Sequence, residues 1–183
     1  TKTDFSYARF NGLSKSNFQP RGKDLSYAKL AGIHLPAYDL SHCTLTQADL
    51  TGATLNYANM DSIVAYGVRL DSASMLQTSL RGADFYSTEF PGSSFVNAAM
   101  NSVTLKNANV KYGVFTGAIL NGAQAQNASF NYGNFQGGTS LPTTKLTGAD
   151  FSGADLSYAQ LDRVSFNNNF LIDSKFQYLD ASN

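Results

Sequence analysis

Few side chains in this chain could carry covalent or acid–base chemistry. The 183 residues include two histidines, His34 and His42, and a single cysteine, Cys43. Two histidines suit a metal or a proton relay. A cysteine suits a nucleophile where its thiolate is stabilised. Asp150 and Asp155 stand five residues apart, and two carboxylates in one site can divide general-acid and general-base roles. Each chemistry requires its groups to converge on one point. The elements that carry these residues therefore decide whether any of it is possible.

Those elements are written as a repeat. Every fifth residue from Leu25 to Phe135 is apolar, 23 positions without exception, in a chain with 43% hydrophobic content. Chance would give such a run with a probability of ~4×10⁻⁹ when the pattern is counted. Two residues before each lies a second selected position. Of those 23, 11 are Ala and eight more are Gly, Ser, Cys, Thr or Val; the departures are Lys23, Ile33, Tyr38 and Ile63. A period of five suits neither common element. Five residues turn an α-helix by about 500°, so the apolar set would spiral off any one face. On a flat strand, positions five apart point to opposite sides. The pattern is consistent with a backbone that turns a corner once per repeat, so that the large residue and the small one two before it both point inward. The other three positions hold Gly, Asn, Ser, Thr, Asp, Tyr and Lys, which suit turns and solvent.

Segments such as Ala48-Asp49-Leu50-Thr51-Gly52, Ala53-Thr54-Leu55-Asn56-Tyr57 and Ala149-Asp150-Phe151-Ser152-Gly153 resemble the A(D/N)LXX unit of the pentapeptide-repeat family, over nearly the whole chain. The resemblance implies an all-β fold: a right-handed quadrilateral β-helix, four repeats and about 20 residues to a coil, with coils at the ordinary ~4.8 Å strand spacing. About nine coils would make a rod about 40 Å long. A single domain over residues 1–183 is expected. The phase of the series predicts an irregular corner near residues 11–24, because Lys15 and Pro20 are not core types; Leu13 and Phe18 are expected to substitute. It also predicts a register bulge near 136–140, where one extra residue in Gln136-Gly137-Gly138-Thr139-Ser140 precedes a resumption at Leu141.

With about 20 residues to a coil, residues sharing a number modulo 20 should stack in one column. His34 and His42 then lie nearly two sides apart and share no metal. Cys43 falls at an inward small position and reads as core. Asp150 and Asp155 project from adjacent sides. Gly12, Gly32, Gly52 and Gly92 share a column, which reads as turn chemistry, and no phosphate-binding glycine loop is present. No catalytic residue, metal site or cofactor is therefore expected. The columns do place Tyr66, Tyr86 and Lys106 together, Tyr112 with Tyr132, and Lys29 with Asp49, Arg69 and Glu89. Cross-strand pairing between coils accounts for such columns, at a few tenths to about one kcal/mol per pair. Exposed tyrosines are also enriched at interfaces, which makes Tyr66, Tyr86, Lys106, Tyr112 and Tyr132 the candidate partner-contact residues.

Lys plus Arg is 13 and Asp plus Glu is 13, so the net charge is zero. The charge is banded: six basic and two acidic residues in 1–30, two and six in 31–90, three and none in 91–145, two and five from 146 on. No face gathers enough Lys and Arg for a phosphate track, and no apolar run reaches membrane-span length. One cysteine excludes an internal disulfide. The leading expectation is a non-enzymatic protein-interaction module or scaffold with another protein as partner, a monomer or weak dimer, soluble and cytoplasmic. The family also includes dimeric rods that mimic DNA and bind type II topoisomerases, quinolone-resistance proteins among them. That role, as a gyrase binder or protector, needs a broadly negative surface and a C-terminal dimerisation cap, and the chain's neutral charge and short C-terminal end depart from both. A third role, the repeat module of a larger, secreted bacterial effector, is compatible with a chain that opens at Thr1.

Overall fold

The computed structural model describes residues 18–136, 144–161, 164 and 166–177. Parallel bridges join Asp24 to Thr44, Lys29 to Asp49, His34 to Thr54 and Asp39 to Asn59, and each series continues upward at intervals of twenty residues, apart from one longer step across the break after Phe135. The backbone therefore completes a circuit every four repeats and presents four faces. Face I carries Asp24, Thr44, Val64, Asp84, Thr104, Gln124, Asp150 and Phe170. Face II carries Lys29, Asp49, Arg69, Glu89, Asn109, Ser129, Asp155 and Lys175; face III runs from His34 to Gln160 and face IV from Asp39 to Lys145. Each corner is named after the face it follows.

One repeat, Asp49–Ala53, shows how the backbone is satisfied. The N–H groups of Leu50 and Gly52 donate upward to Arg69 and Asp71 carbonyls at 2.7 and 2.8 Å, and that of Asp49 donates downward to Ala28 at 3.0 Å. The Ala53 N–H closes the corner on the Leu50 carbonyl at 2.9 Å. The Thr51 N–H is left over, and it donates to Asp49 Oδ1 at 3.1 Å. The same bond joins Ser26 to Asp24, Ser41 to Asp39, Ser152 to Asp150 and Ser157 to Asp155. Where a repeat carries Asp or Asn at this position, the side chain thus caps the one amide the ladder cannot reach. Elsewhere the cap comes from the coil below: Asn56 accepts from Leu76 N–H at 2.9 Å and Asp61 from Arg81 N–H at 2.8 Å.

Each corner turns on a left-handed residue two places after the core residue. Ten such positions are Gly, but 18 are not, including Tyr27, Tyr57, Tyr112, Tyr132 and Tyr158. A left-handed L-residue costs roughly 1–2 kcal/mol, and the upward amide bond that most of these residues make, such as Tyr57 N–H to the Leu76 carbonyl at 2.8 Å, offsets it.

The every-fifth residues from Leu25 to Phe135 are all buried, as are Leu146, Phe151 and Leu156. Volume is shared between the two inward positions. Ala65 is small, and Ile63 beside it is buried. Where the small position is a hydroxyl, it donates to the carbonyl of a core residue in the coil below: Thr78 to Leu55, Thr88 to Ala65 and Ser93 to Leu70, at 2.8, 2.8 and 2.5 Å. Those carbonyls use their second lone pair, so the buried hydroxyls carry no desolvation penalty. Phe95, Phe115 and Phe135 stack in one column at 5.0 and 4.7 Å. Their rings lean over the small position, which explains glycine there: a Cβ on Gly113 would stand 2.7 Å from Phe115 Cε2.

Two expectations change. Pro20 is buried and in phase, its carbonyl accepting the corner bond from Lys23 N–H at 2.8 Å, and Gly22 turns the corner at φ 65. Phe18 occupies the small position two before it and compensates the short proline ring. The repeat is thus regular from residue 18; Leu13 and Lys15 lie outside the described residues. The second change concerns the break after Phe135. Ile119 bridges Lys145, Gln124 bridges Asp150 and Ser129 bridges Asp155, an interval of 26 and not 21. Against a twenty-residue circuit six residues are inserted, and the described core resumes at Leu146; Leu141 lies outside the described residues. Thr144 fills the small position and its hydroxyl lies 2.7 and 2.8 Å from the Phe115 and Phe135 carbonyls. A whole repeat plus one residue shifts the phase of the pentads by the same single residue as a one-residue bulge, so period counting cannot separate the two. At the upper end, Leu161, Val164, Phe166, Leu171 and Phe176 are only partly buried, and Phe170 and Ile172 are exposed.

Candidate functional site

The chemically capable residues are kept apart. His34 is exposed on face III and His42 is exposed at corner IV, eight residues on, with φ 60. Cys43 is buried, its Sγ donating to the Pro20 carbonyl at 2.9 Å, and burial pushes its thiol up to about 11. Asp150 and Asp155 lie on faces I and II. Burial raises both, but bonds from Ser152 and Ser157, with Lys106 and Lys175 nearby, outweigh it and hold both carboxyls below the ordinary range. They are turn caps. Among the described residues, no group of three His, Cys, Asp or Glu is placed to hold a metal ion, and no helix is long and apolar enough to cross a membrane.

Face II stacks Lys29, Asp49, Arg69 and Glu89 as the column count requires. Among the described residues no ion pair joins one coil to the next along this column, although, against the opposing effect of burial and alongside the Thr51 bond, Arg69 helps to hold the Asp49 carboxyl below its ordinary range. Arg69 pairs with Asp71 of its own coil at 3.1 Å, and Glu89 accepts from Asn109 Nδ2 at 2.7 Å. Asp61 and Arg81 do pair across coils, at 3.8 Å.

The surface feature that remains is aromatic. Tyr66 and Tyr86 stack at corner I, ring centroids 5.7 Å apart and 13° from parallel, with Lys106 following in the same column. Tyr112 and Tyr132 stack at corner II, at 5.1 Å and 16°. Tyr158 adds a third ring to that column, 4.6 Å from Tyr132 and 8° from parallel. Column counting misses Tyr158 because it lies 26 residues on, across the insertion. Corners I and II bound face II, so both columns border the same side of the molecule. The tyrosines are all exposed, and Lys106 is half-buried.

The family model for pentapeptide repeats matches residues 24–56, 39–63, 66–101, 137–168 and 144–177, in eight copies. The chain belongs to the pentapeptide-repeat family. Among solved structures it is similar to a trypsin-treated form of QnrB1, a plasmid-mediated fluoroquinolone resistance protein, with 16% identity, a TM-score of 0.61 and 86% of each chain covered. It is also similar to HetL, a pentapeptide repeat protein involved in heterocyst differentiation regulation from the cyanobacterium Nostoc, with 22% identity, a TM-score of 0.48, and 86% of this chain and 80% of that chain covered. No curated protein matches the chain in sequence.

Proposed function

We propose that this chain is a non-enzymatic protein-interaction module: a right-handed quadrilateral β-helix of about nine coils, one domain over residues 1–183, that binds another protein through its outer surface. The observation that carries this reading is the pair of exposed tyrosine stacks bordering face II, Tyr66 with Tyr86 and Tyr112 with Tyr132, beside dispersed chemical residues. Stacked rings on a fixed backbone present large amphipathic area at little entropic cost. Affinity capture from the native host, comparing wild type with Tyr66→Ser/Tyr86→Ser and Tyr112→Ser/Tyr132→Ser, tests it. A specific protein should be retained by wild type and weakened by one or both variants while each remains folded. Equal capture by all three would remove the tyrosines from the site.

A second reading, a DNA-mimicking gyrase binder, is favoured by the likeness in fold to a fluoroquinolone resistance protein. Charge opposes it. Residues 91–149 contain no Asp or Glu but do contain Lys106, Lys111 and Lys145, so a basic groove evolved for phosphate would gain little there. A supercoiling assay over a range of salt decides: no inhibition and no rescue from a quinolone is the expected result.

A further inference from the structure

We propose that the tyrosine column of corner II is an oxidative cross-linking site, at which Tyr132 and Tyr158 form an intramolecular dityrosine bond across the six-residue insertion. The first argument is competition. Trp, Cys and Met are the other readily oxidised side chains, and this chain has no Trp, one Cys and three Met. Cys43, Met60, Met75 and Met100 are all buried in the core. Tyr112, Tyr132 and Tyr158 are 58%, 47% and 42% exposed. An oxidant arriving from solvent therefore meets phenols first.

The second argument is geometry. Among the three stacked tyrosine pairs described, Tyr132 and Tyr158 have the closest and most parallel rings, 4.6 Å and 8° against 5.1 Å and 16° for Tyr112–Tyr132 and 5.7 Å and 13° for Tyr66–Tyr86. Their backbones are fixed at the corner, Tyr132 N–H donating to Ser157 at 3.1 Å and Tyr158 N–H to Gln177 at 2.9 Å. Two phenoxyl radicals formed there are already in contact, whereas radicals on separate molecules must diffuse together.

The chemistry requires a one-electron oxidant, such as a haem peroxidase with hydrogen peroxide or a photogenerated metal complex. Each tyrosine gives one electron to the oxidant and its phenolic proton to solvent. The two radicals couple through ring carbons ortho to oxygen, and the hydrogens on those carbons move to the oxygens as the rings regain aromaticity. Two tyrosines lose two electrons and two protons in all. The product staples the coil below the insertion to the coil above it, at the only place among the described residues where the twenty-residue register is broken.

Dilute full-length protein would be illuminated with ruthenium tris-bipyridine and persulfate, then denatured and cut with trypsin. Cleavage after Lys111, Lys145 and Arg163 puts Tyr132 and Tyr158 on different peptides, residues 112–145 and 146–163. The expected product is those two peptides joined, with the mass of their sum less two hydrogens, from protein that remains monomeric. Tyr158→Phe keeps the ring and should lose that species. The cross-linked protein should also unfold at a higher temperature than the untreated chain. Tyr57, equally exposed at 56% but outside any tyrosine stack, should not be joined within the monomer. Tyrosine loss without the 132–158 product, predominant cross-linking between molecules through Tyr57, or no tyrosine oxidation at all would each overturn the proposal.

Discussion

Phe95 illustrates what one residue contributes to a core only four side chains wide. It is fully buried, stacks on Phe115 and meets Phe90 edge-on at 5.5 Å. Truncation to Ala would leave a hole between three coils that the bridges hold open, and should cost about 3–5 kcal/mol in chemical denaturation. A loss below about one kcal/mol would place the ring outside the core. The opposite error is as informative. Gly113→Ala would place a Cβ 2.7 Å from Phe115 and 3.0 Å from the Val110 carbonyl, and should destabilise by about 1–3 kcal/mol through overpacking. Cys43, with its thiol pushed up to about 11 by burial, should resist alkylation at pH 8 in the native protein and react promptly once denatured.

At the scale of the repeat, the recurring Asp is a cap, and caps of this kind make the fold acid-sensitive. The Ser41 hydroxyl, then its N–H and Arg21, hold Asp39 below the ordinary carboxylate range against the opposing effect of burial. At Asp150 and Asp155 burial acts the other way and is outweighed by the serine bonds. A carboxyl depressed in the folded state contributes stability above its unfolded pKa, near 3.9, and loses it as pH falls through the lower folded value. The thermal midpoint should therefore fall steadily below about pH 4. Asp39→Asn/Asp150→Asn/Asp155→Asn keeps an oxygen acceptor for each amide, so it should flatten that acid limb. An unchanged acid limb in the triple variant would locate the pH dependence elsewhere.

At the scale of the whole molecule, a solenoid has edges only at its ends, and an uncovered end is a template for association. The upper described coil is built from Leu161, Phe166, Leu171 and Phe176, all partly buried. Deleting residues 171–183 would expose the fully buried Phe151 and Leu156 beneath. Sedimentation of that truncation should reveal concentration-dependent self-association; a monomer at all concentrations would show that the coil is not protecting the stack.

The sequence by itself determined the repeat, its period, the inward residues and the isolation of its few chemical groups. It could do so because a corner every five residues is a local event, repeated until the pattern exceeds chance. It also placed Tyr66 with Tyr86 and Tyr112 with Tyr132, since a constant twenty-residue circuit turns residue number into position. Tertiary structure alone decided where that conversion fails. Pro20 proved to be core because Phe18 beside it makes up the missing volume, a trade between two side chains that period counting treats singly. The insertion proved to be six residues because only pairing between coils distinguishes an insertion of six from an insertion of one. Tyr158 joined the column for the same reason. Stacking partners are chosen by the hydrogen bonds between coils, and those bonds are indifferent to how many residues intervene.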